Sequence, residues 1–308
     1  MWKLAGSWLS VYLTVNLLLA ADPAPNDLPP ETVLATVDDD KITEADFQLF
    51  CVIRNLPRAE QAPLRDKLLE QLIERQLIRH ALSKRKIAAD KEDVAGHVRR
   101  IEDLIRQRKE DPEVVLKKLG LSQETLASEL ALPLAWDAFV RQSVNDKQIS
   151  EHFSQHKAEL DGTKLRAAQI ILLLPKGAAK KDVEDRTARL TAIRQDIVSK
   201  KIPFAEVAKK FSEAPSKANG GDVGWFPYRG KMPAPFCDAA FALKPGEISE
   251  PIVSPFGVHL IQVTDRQPGE LTLDDVRVEI LGRLSNELWD KTAAAERMKS
   301  KIDLAPRQ

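Results

Sequence analysis

The sequence predicts an α+β fold: a helical body, and within it a small sheet flanked by helices. Three observations predict this. Apolar residues recur at three- and four-residue steps from Pro63 to Phe153 and again beyond Pro268, with charges between them. Strand-like character is confined to short runs, chiefly Leu165 to Leu174 and Phe256 to Val263. From between those runs into the second extends Gly220 to His259, GGDVGWFPYRGKMPAPFCDAAFALKPGEISEPIVSPFGVH, a glycine- and aromatic-rich stretch that opens on a turn signal.

Taken in order, the chain opens on Lys3 and an apolar run from Leu4 to Ala21. This reads as a secretory signal peptide, residues 1–21, with an uncleaved membrane anchor as the alternative. Residues 22–31 hold four prolines and read as a linker. Thr32 to Val37 suits a short strand turned by Asp38, Asp39 and Asp40, with a helix starting near Thr43 or Asp46.

Leu64, Leu68 and Leu72, with Leu69, Ile73 and Leu77, mark a long helix from Pro63, and Val94, Val98, Ile101 and Ile105 a second. Asp111-Pro112 breaks or starts an element, and Leu119-Gly120 caps one. Ser122 begins a helix through Leu126 and Leu130 toward Trp136, and Asn145-Asp146 opens another with Ile149 and Phe153. After the Leu165–Leu174 strand, Val183, Leu190, Ile193 and Ile197 mark a helix ended before Pro203. Phe204 to Ser212 follows as a short helix, and Asp238 to Leu243 as another, stopped by Pro245-Gly246. Alternation in Phe256–Val263 sets His259, Ile261 and Val263 on one strand face. Leu273 to Ile302 is helical, with Val276, Ile280, Leu284 and Leu288 at steps of four.

At 308 residues there is room for about two domains. Lys plus Arg and Asp plus Glu both total 46, so the net charge points to no nucleic-acid partner. Cys51 and Cys237, far apart in sequence, read as partly buried thiols rather than a disulfide framework. His152 and His156 stand four apart, the spacing of a metal pair, but no third ligand lies near in sequence, and a solvated helix face is the better reading. No metal or cofactor is expected.

The central stretch resembles the second half of a parvulin-type peptidyl-prolyl isomerase domain. The resemblance is carried by Gly220-Gly221-Asp222-Val223-Gly224-Trp225, Met232, Phe236, Ala239-Ala240-Phe241, Gly246, Ile248-Ser249, Pro251 and Phe256-Gly257-x-His259. The opening VLATVDDDKITEADF and the helix LLEQLIERQLIRHAL resemble SurA-like chaperones. Together these imply a SurA-like helical domain over residues 32–160, a parvulin-type domain over 164–266, and a C-terminal helix, 270–304, that returns to the first domain.

The resemblance implies that Met232 and Phe236, with Val223 in place of the family's usual Leu, grip a proline ring. Trp225 and Phe256 are read with them as substrate-binding, and His259, Gln169 and Ser254 as the polar catalytic wall. Two departures bear on rate. Gln169 stands where the family has one of two paired histidines, and either Glu213 or Ala214 stands where it has a Cys or Asp. The expected function is an exported foldase acting on X-Pro bonds of unfolded or nascent exported polypeptides. The alternative is a weak or inactive chaperone and peptide-binding module, with membrane contact only if the N-terminal segment is retained.

Overall fold

The computed structural model describes residues 28–54, 56–118 and 121–306. The signal-peptide reading, most of the linker and the Leu119-Gly120 cap fall outside the described residues. In chain order the elements are β1 (Val33–Val37), β2 (Asp40–Thr43), α1 (Glu44–Ile53), α2 (Arg58–Lys84), α3 (Lys91–Gln107), α4 (Pro112–Lys118), α5 (Gln123–Ser143), α6 (Asp146–Gln155) and α7 (Lys157–Leu160). Then come β3 (Lys164–Leu173), α8 (Lys180–Lys200), α9 (Phe204–Phe211), a 3-10 turn (Pro215–Asn219), β4 (Asp222–Pro227), α10 (Ala234–Phe241), β5 (Ile252–Ser254), β6 (Gly257–Gln267), α11 (Leu273–Arg297) and β7 (Ile302–Leu304). The fold is α+β, with two compact units: residues 28–146 joined by 281–306, and residues 147–280 inserted between them in sequence.

The first unit is mostly helical. Its helix starts are set by local chemistry: Thr43 and Asp46 form a reciprocal capping box on α1, Asp90 caps α3, and Ser122 accepts from the Thr125 N–H to cap α5. The apolar stripes then meet as a core of Ile78, Leu82, Leu132, Trp136, Trp289 and Ala293, with Leu288 against it. Trp136 and Trp289 pack edge-to-face at 4.9 Å, and the Trp136 indole N–H donates to Ser285 Oγ at 2.9 Å. The chain's return to this unit is therefore real, but it is anchored by Trp289 rather than by a straight line of fours.

Two details differ from the sequence reading of this unit. Asp40–Thr43 is a strand rather than only a turn, and the last helix stops at Arg297, leaving Ile302 in β7. The resulting three-stranded sheet has the order β2-β1-β7, so the first described strand pairs with the last. Asp38 Oδ1 accepts the Lys301 N–H at 2.8 Å, and His80 Nε2 lies 2.6 Å from Asp40 Oδ2.

The second unit is built on an antiparallel sheet of order β4-β3-β6-β5. Ala168, Ile170 and Leu172 of β3, with Val258 and Leu260 of β6, face α8 and α9 and bury Leu190, Ile193, Ile197, Phe204 and Val207. Leu165, Ala167, Ile261 and Val263 face the other way, onto Phe226, Phe236, Cys237 and Ala240. Period-two alternation in two adjacent strands thus gives the sheet two separate apolar layers. The α10 helix begins at Ala234, four residues earlier than its apolar pattern suggested, so Met232 precedes it and Phe236 lies in its first turn.

Candidate functional site

The site is set by the register of β3 on β6. Ile171 pairs with His259 and Gln169 with Ile261, so Gln169, Ile171, His259 and Ile261 share one face of the sheet. On the next strand Ile252 pairs with His259 and Ser254 with Gly257. Three polar side chains meet there within an apolar layer. His259 Nδ1 is 3.0 Å from Gln169 Oε1, and His259 Nε2 is 2.6 Å from Ser254 Oγ. The Phe256 N–H donates to the same Ser254 oxygen at 3.1 Å.

The order of donors follows from the ring's charge. His259 is 3% exposed, and desolvation lowers its pKa from 6.5 to about 4. The ring is therefore neutral near pH 7, with one N–H and one acceptor nitrogen. With Gln169 presenting its carbonyl oxygen, Nδ1–H donates to it and Nε2 accepts the Ser254 hydroxyl hydrogen. Both ring nitrogens are satisfied by the protein. The Gln169 amide NH2 is the donor of the trio left over from this chain of bonds.

Phe236 lies beneath the trio. It is fully buried, edge-to-face with His259 at 5.7 Å and with Phe226 at 5.6 Å. Met232 and Val223, both partly buried, pack on the same cluster. The loop that delivers Met232 is tied down by Lys231 Nζ, which donates to the Trp225 carbonyl at 2.8 Å and the Val223 carbonyl at 3.2 Å. The structure thus gathers Val223, Met232, Phe236, Gln169, Ser254 and His259.

Trp225 does not join them. Strand alternation sends Trp225 and Phe226 to opposite faces; Phe226 enters the cluster, while Trp225 pairs with Arg166 and is 38% exposed. Phe256 contributes its backbone to the polar trio, and its ring is 61% exposed.

Sequence reasoning missed what holds β3 in place. Beyond Ala168, β3 is no longer paired by β4 but by a series of loop groups. The Gln169 N–H donates to Gly221 O at 2.9 Å, the Ile171 N–H to Ser212 Oγ at 3.2 Å, and the Leu173 N–H to Glu213 Oε2 at 2.8 Å. Gly221 has φ +88°, and a Cβ there would lie 2.3 Å from Gln169 O, so this approach needs glycine. The Glu213 carboxylate is spent on the β3 backbone, and Ala214 has no polar side chain. Neither supplies a charge to His259.

Cys237 is a buried free thiol whose pKa burial pushes up to about 11, and Cys51 is likewise buried and free. Among the described residues no three His, Cys, Asp or Glu side chains gather as a metal site; His156 Nδ1 instead lies 2.9 Å from Glu159.

Comparison with known proteins matches residues 170–265 to the Rotamase family, a PPIC-type PPIase domain. Chaperone SurA of Thiobacillus denitrificans is 28% identical over 309 residues, covering 93% of this chain and 70% of that protein. Foldase protein PrsA 1 of Bacillus cereus is 31% identical over 172 residues, 54% of this chain and 52% of that one. A crystal structure of the peptidylprolyl isomerase PrsA from Bacillus anthracis aligns with a TM-score of 0.44 at 24% identity, over 75% of this chain and 96% of that chain. The chain spans about two thirds of the length of the SurA chaperones it matches and about half that of the foldases.

Proposed function

We propose, from the premise that this chain carries a PPIC-type PPIase domain and is homologous to the SurA chaperones and PrsA foldases, that it is an exported foldase that isomerises X-Pro bonds in unfolded polypeptides. The observation that carries the reading is the Ser254–His259–Gln169 hydrogen-bond chain standing on Phe236, with Ser254, His259 and Phe236 inside the matched segment and Gln169 one residue before it.

Rotation about an X-Pro bond meets a barrier of about 18–20 kcal/mol because twisting breaks amide resonance. No covalent bond is made, so the reaction needs neither nucleophile nor cofactor; it needs a surface that binds the twisted amide better than either planar form. Val223 and Met232 supply the apolar grip on the proline ring, backed from beneath by the buried Phe236 ring. Since both nitrogens of His259 are engaged by Gln169 and Ser254, this histidine transfers no proton. Its part is to fix the Gln169 amide, whose NH2 donates to the prolyl nitrogen as twisting localises that nitrogen's lone pair. The helical unit holds the unfolded client. Export rests on Lys3 and the apolar run Leu4–Ala21, with membrane attachment following if that run is retained.

A second reading, a proline-binding chaperone module with little turnover, is favoured by one feature. Gln169 and the Glu213-Ala214 pair leave the site with a single imidazole and no carboxylate. Exchange NMR on a proline peptide with the full chain separates the two. Cis-trans exchange faster than in free peptide supports the isomerase; a bound peptide exchanging at the free rate overturns it and leaves the binder.

A further inference from the structure

The strand that closes the three-stranded sheet of the helical unit leaves one flank open. In the order β2-β1-β7, β7 has β1 on one side and, among the described residues, no strand on the other. Its bonds to β1 come from alternate residues. The Asp38 N–H donates to Lys301 O at 2.8 Å, Thr36 pairs with Asp303, and the Ala305 N–H donates to Leu34 O at 3.0 Å. In an antiparallel ladder the next residues turn their N–H and C=O the other way, so those of Ile302 and Leu304 point away from β1. Side chains alternate too. Ile302 packs into the core with Ala35, Val37 and Leu77, and Leu304 follows on the same face but is 65% exposed. Lys301 and Asp303 share the other face, their charges paired at 2.8 Å.

Edge strands are commonly guarded against further pairing. β4 is an edge of its own sheet, and there Lys231 Nζ caps the carbonyls of Val223 and Trp225. Among the described residues no side chain caps Ile302 or Leu304 in that way, and the two charges β7 carries offset each other. A second copy of β7 fits poorly in each antiparallel register that lets Ile302 and Leu304 bond. Ile302 opposite Leu304 sets Asp303 directly against its counterpart, like charges at the closest cross-strand spacing. Ile302 opposite Ile302 sets Leu304 against Ser300, whose N–H is already given to Glu296 O at 3.1 Å. Leu304 opposite Leu304 sets Ile302 against Pro306, which has no N–H to give.

We propose that the free edge of β7 captures an extended segment of an unfolded polypeptide as a fourth, antiparallel strand. Apolar residues of the segment stand opposite Ile302 and Leu304, a basic residue opposite Asp303 and an acidic one opposite Lys301. This gives a place to the client-holding role proposed for the helical unit and rests on that role, without depending on isomerisation. Ile302 and Leu304 each offer the segment one N–H and one C=O, so its backbone supplies most of the affinity. The residue opposite Leu304 covers that exposed side chain, and the two charged residues complete cross-strand ion pairs. Read from its N-terminus, the segment runs apolar, basic, apolar, acidic.

The test uses the full chain and two capped peptides without proline, Ser-Leu-Lys-Val-Glu-Thr and Ser-Leu-Glu-Val-Lys-Thr. Affinity is read by NMR titration, and the place of binding by hydrogen exchange of the Ile302 and Leu304 amides. The first peptide is expected to bind about tenfold tighter than the second, the scale of two cross-strand charge pairs turned from attractive to repulsive. At saturation it should slow exchange of both amides about tenfold or more. Methylating the nitrogen of its Val, which faces β7, should abolish binding. In Lys301→Glu/Asp303→Lys, which keeps the pair within the strand, the preference between the two peptides should invert. Leu304→Pro removes an outward N–H, leaves the bonds to β1 in place, and should weaken the first peptide about tenfold. If that variant fails to fold by circular dichroism, the charge swap carries the test. Equal affinity for the two peptides, no inversion in the swapped chain, or unprotected Ile302 and Leu304 amides overturns the proposal. So does protection of those amides that rises with protein concentration without peptide, which assigns the edge to a second copy. Suppressed aggregation of reduced lysozyme with the β7 amides unprotected sinks the edge alone and leaves the client-holding role. Peptide protection of β7 without such suppression leaves the edge and sinks that role.

Discussion

Lowering the pH from 7 to 5 should destabilise the 147–280 unit through one side chain, His259. In the folded chain its pKa lies at about 4, against 6.5 when exposed. Between these values the unfolded chain binds a proton that the folded chain does not, so stability falls as pH falls. The two values imply a loss of about 2 kcal/mol between pH 7 and 5, and about 3 kcal/mol once the pH passes below 4. Asp38, Asp40 and Asp222 are held below their usual range, by hydrogen bonds from Lys301, His80 and Arg166 respectively. Their contributions are present above the ordinary carboxylate pKa and are lost only at lower pH, outside this window. Hydrogen-exchange mass spectrometry of the full chain, following β3 and β6 amides at pH 7 and 5 with intrinsic rates corrected, measures the effect. His259→Gln should be less stable at pH 7 and show no such pH step. Nitrogen-15 NMR of the wild-type ring supplies a second readout: a neutral Nδ1–H imidazole should persist at pH 5. A ring that titrates near 6.5, or β3 and β6 protection equal at both pH values, would refute the buried, neutral assignment.

Other predictions concern single side chains. Phe236→Ala removes a fully buried ring touching Phe226 and His259 and should cost about 3–5 kcal/mol of stability, whereas partly buried Met232→Ala should mainly weaken proline-peptide binding, by about 1–3 kcal/mol. Denaturant melts and peptide titrations separate the two, and a Phe236→Ala chain as stable as wild type would contradict the packing. Gln169→Leu should slow isomerisation about 10–100-fold, the scale of a lost transition-state hydrogen bond, and Gln169→His should match or exceed wild type; exchange NMR measures both, and an unchanged rate in Gln169→Leu removes the amide from the mechanism. Trp289→Ala should lower the stability of the helical unit by about 3–5 kcal/mol through loss of its contact with Trp136. Circular dichroism melts test this, and an unchanged melt would mean that α11 contributes little to that core.

The residues that the structure gathers around His259 were legible because they sit in a recognisable order, and because strict alternation put His259, Ile261 and Val263 on one face. The pairing of Gln169 with His259 followed from the family resemblance, but the β3–β6 register that achieves it, linking positions 90 apart in sequence, was not legible. Trp225 was misread with the grip because its strand was not recognised; within β4, neighbours must diverge. The helix read from Asp238 begins at Ala234 because Pro235 falls in its first turn, where proline's missing N–H has no partner to lose. On α11, a line of exact fours drifts about 40° per step around the helix, so Val276 and Leu288 cannot share one face, and Trp289 carries the packing instead. The three residues of β7 are too few to show alternation, and the Ser212–Glu213 support of β3 uses side-chain acceptors that no periodic pattern announces.

The pairing of β1 with β7 also sets a timetable. The strand at residues 33–37 gains its last partner only when residues 302–304 have been made. Trp136 likewise waits for Trp289. The inserted 147–280 unit is complete before either partner exists. At about 5–20 residues per second, the N-terminal helices spend on the order of ten to thirty seconds with an unfilled core. The 147–280 unit is therefore made while β1 and Trp136 still lack their partners, and the making of residues 281–304 decides whether they pair within their own chain or with a neighbour's.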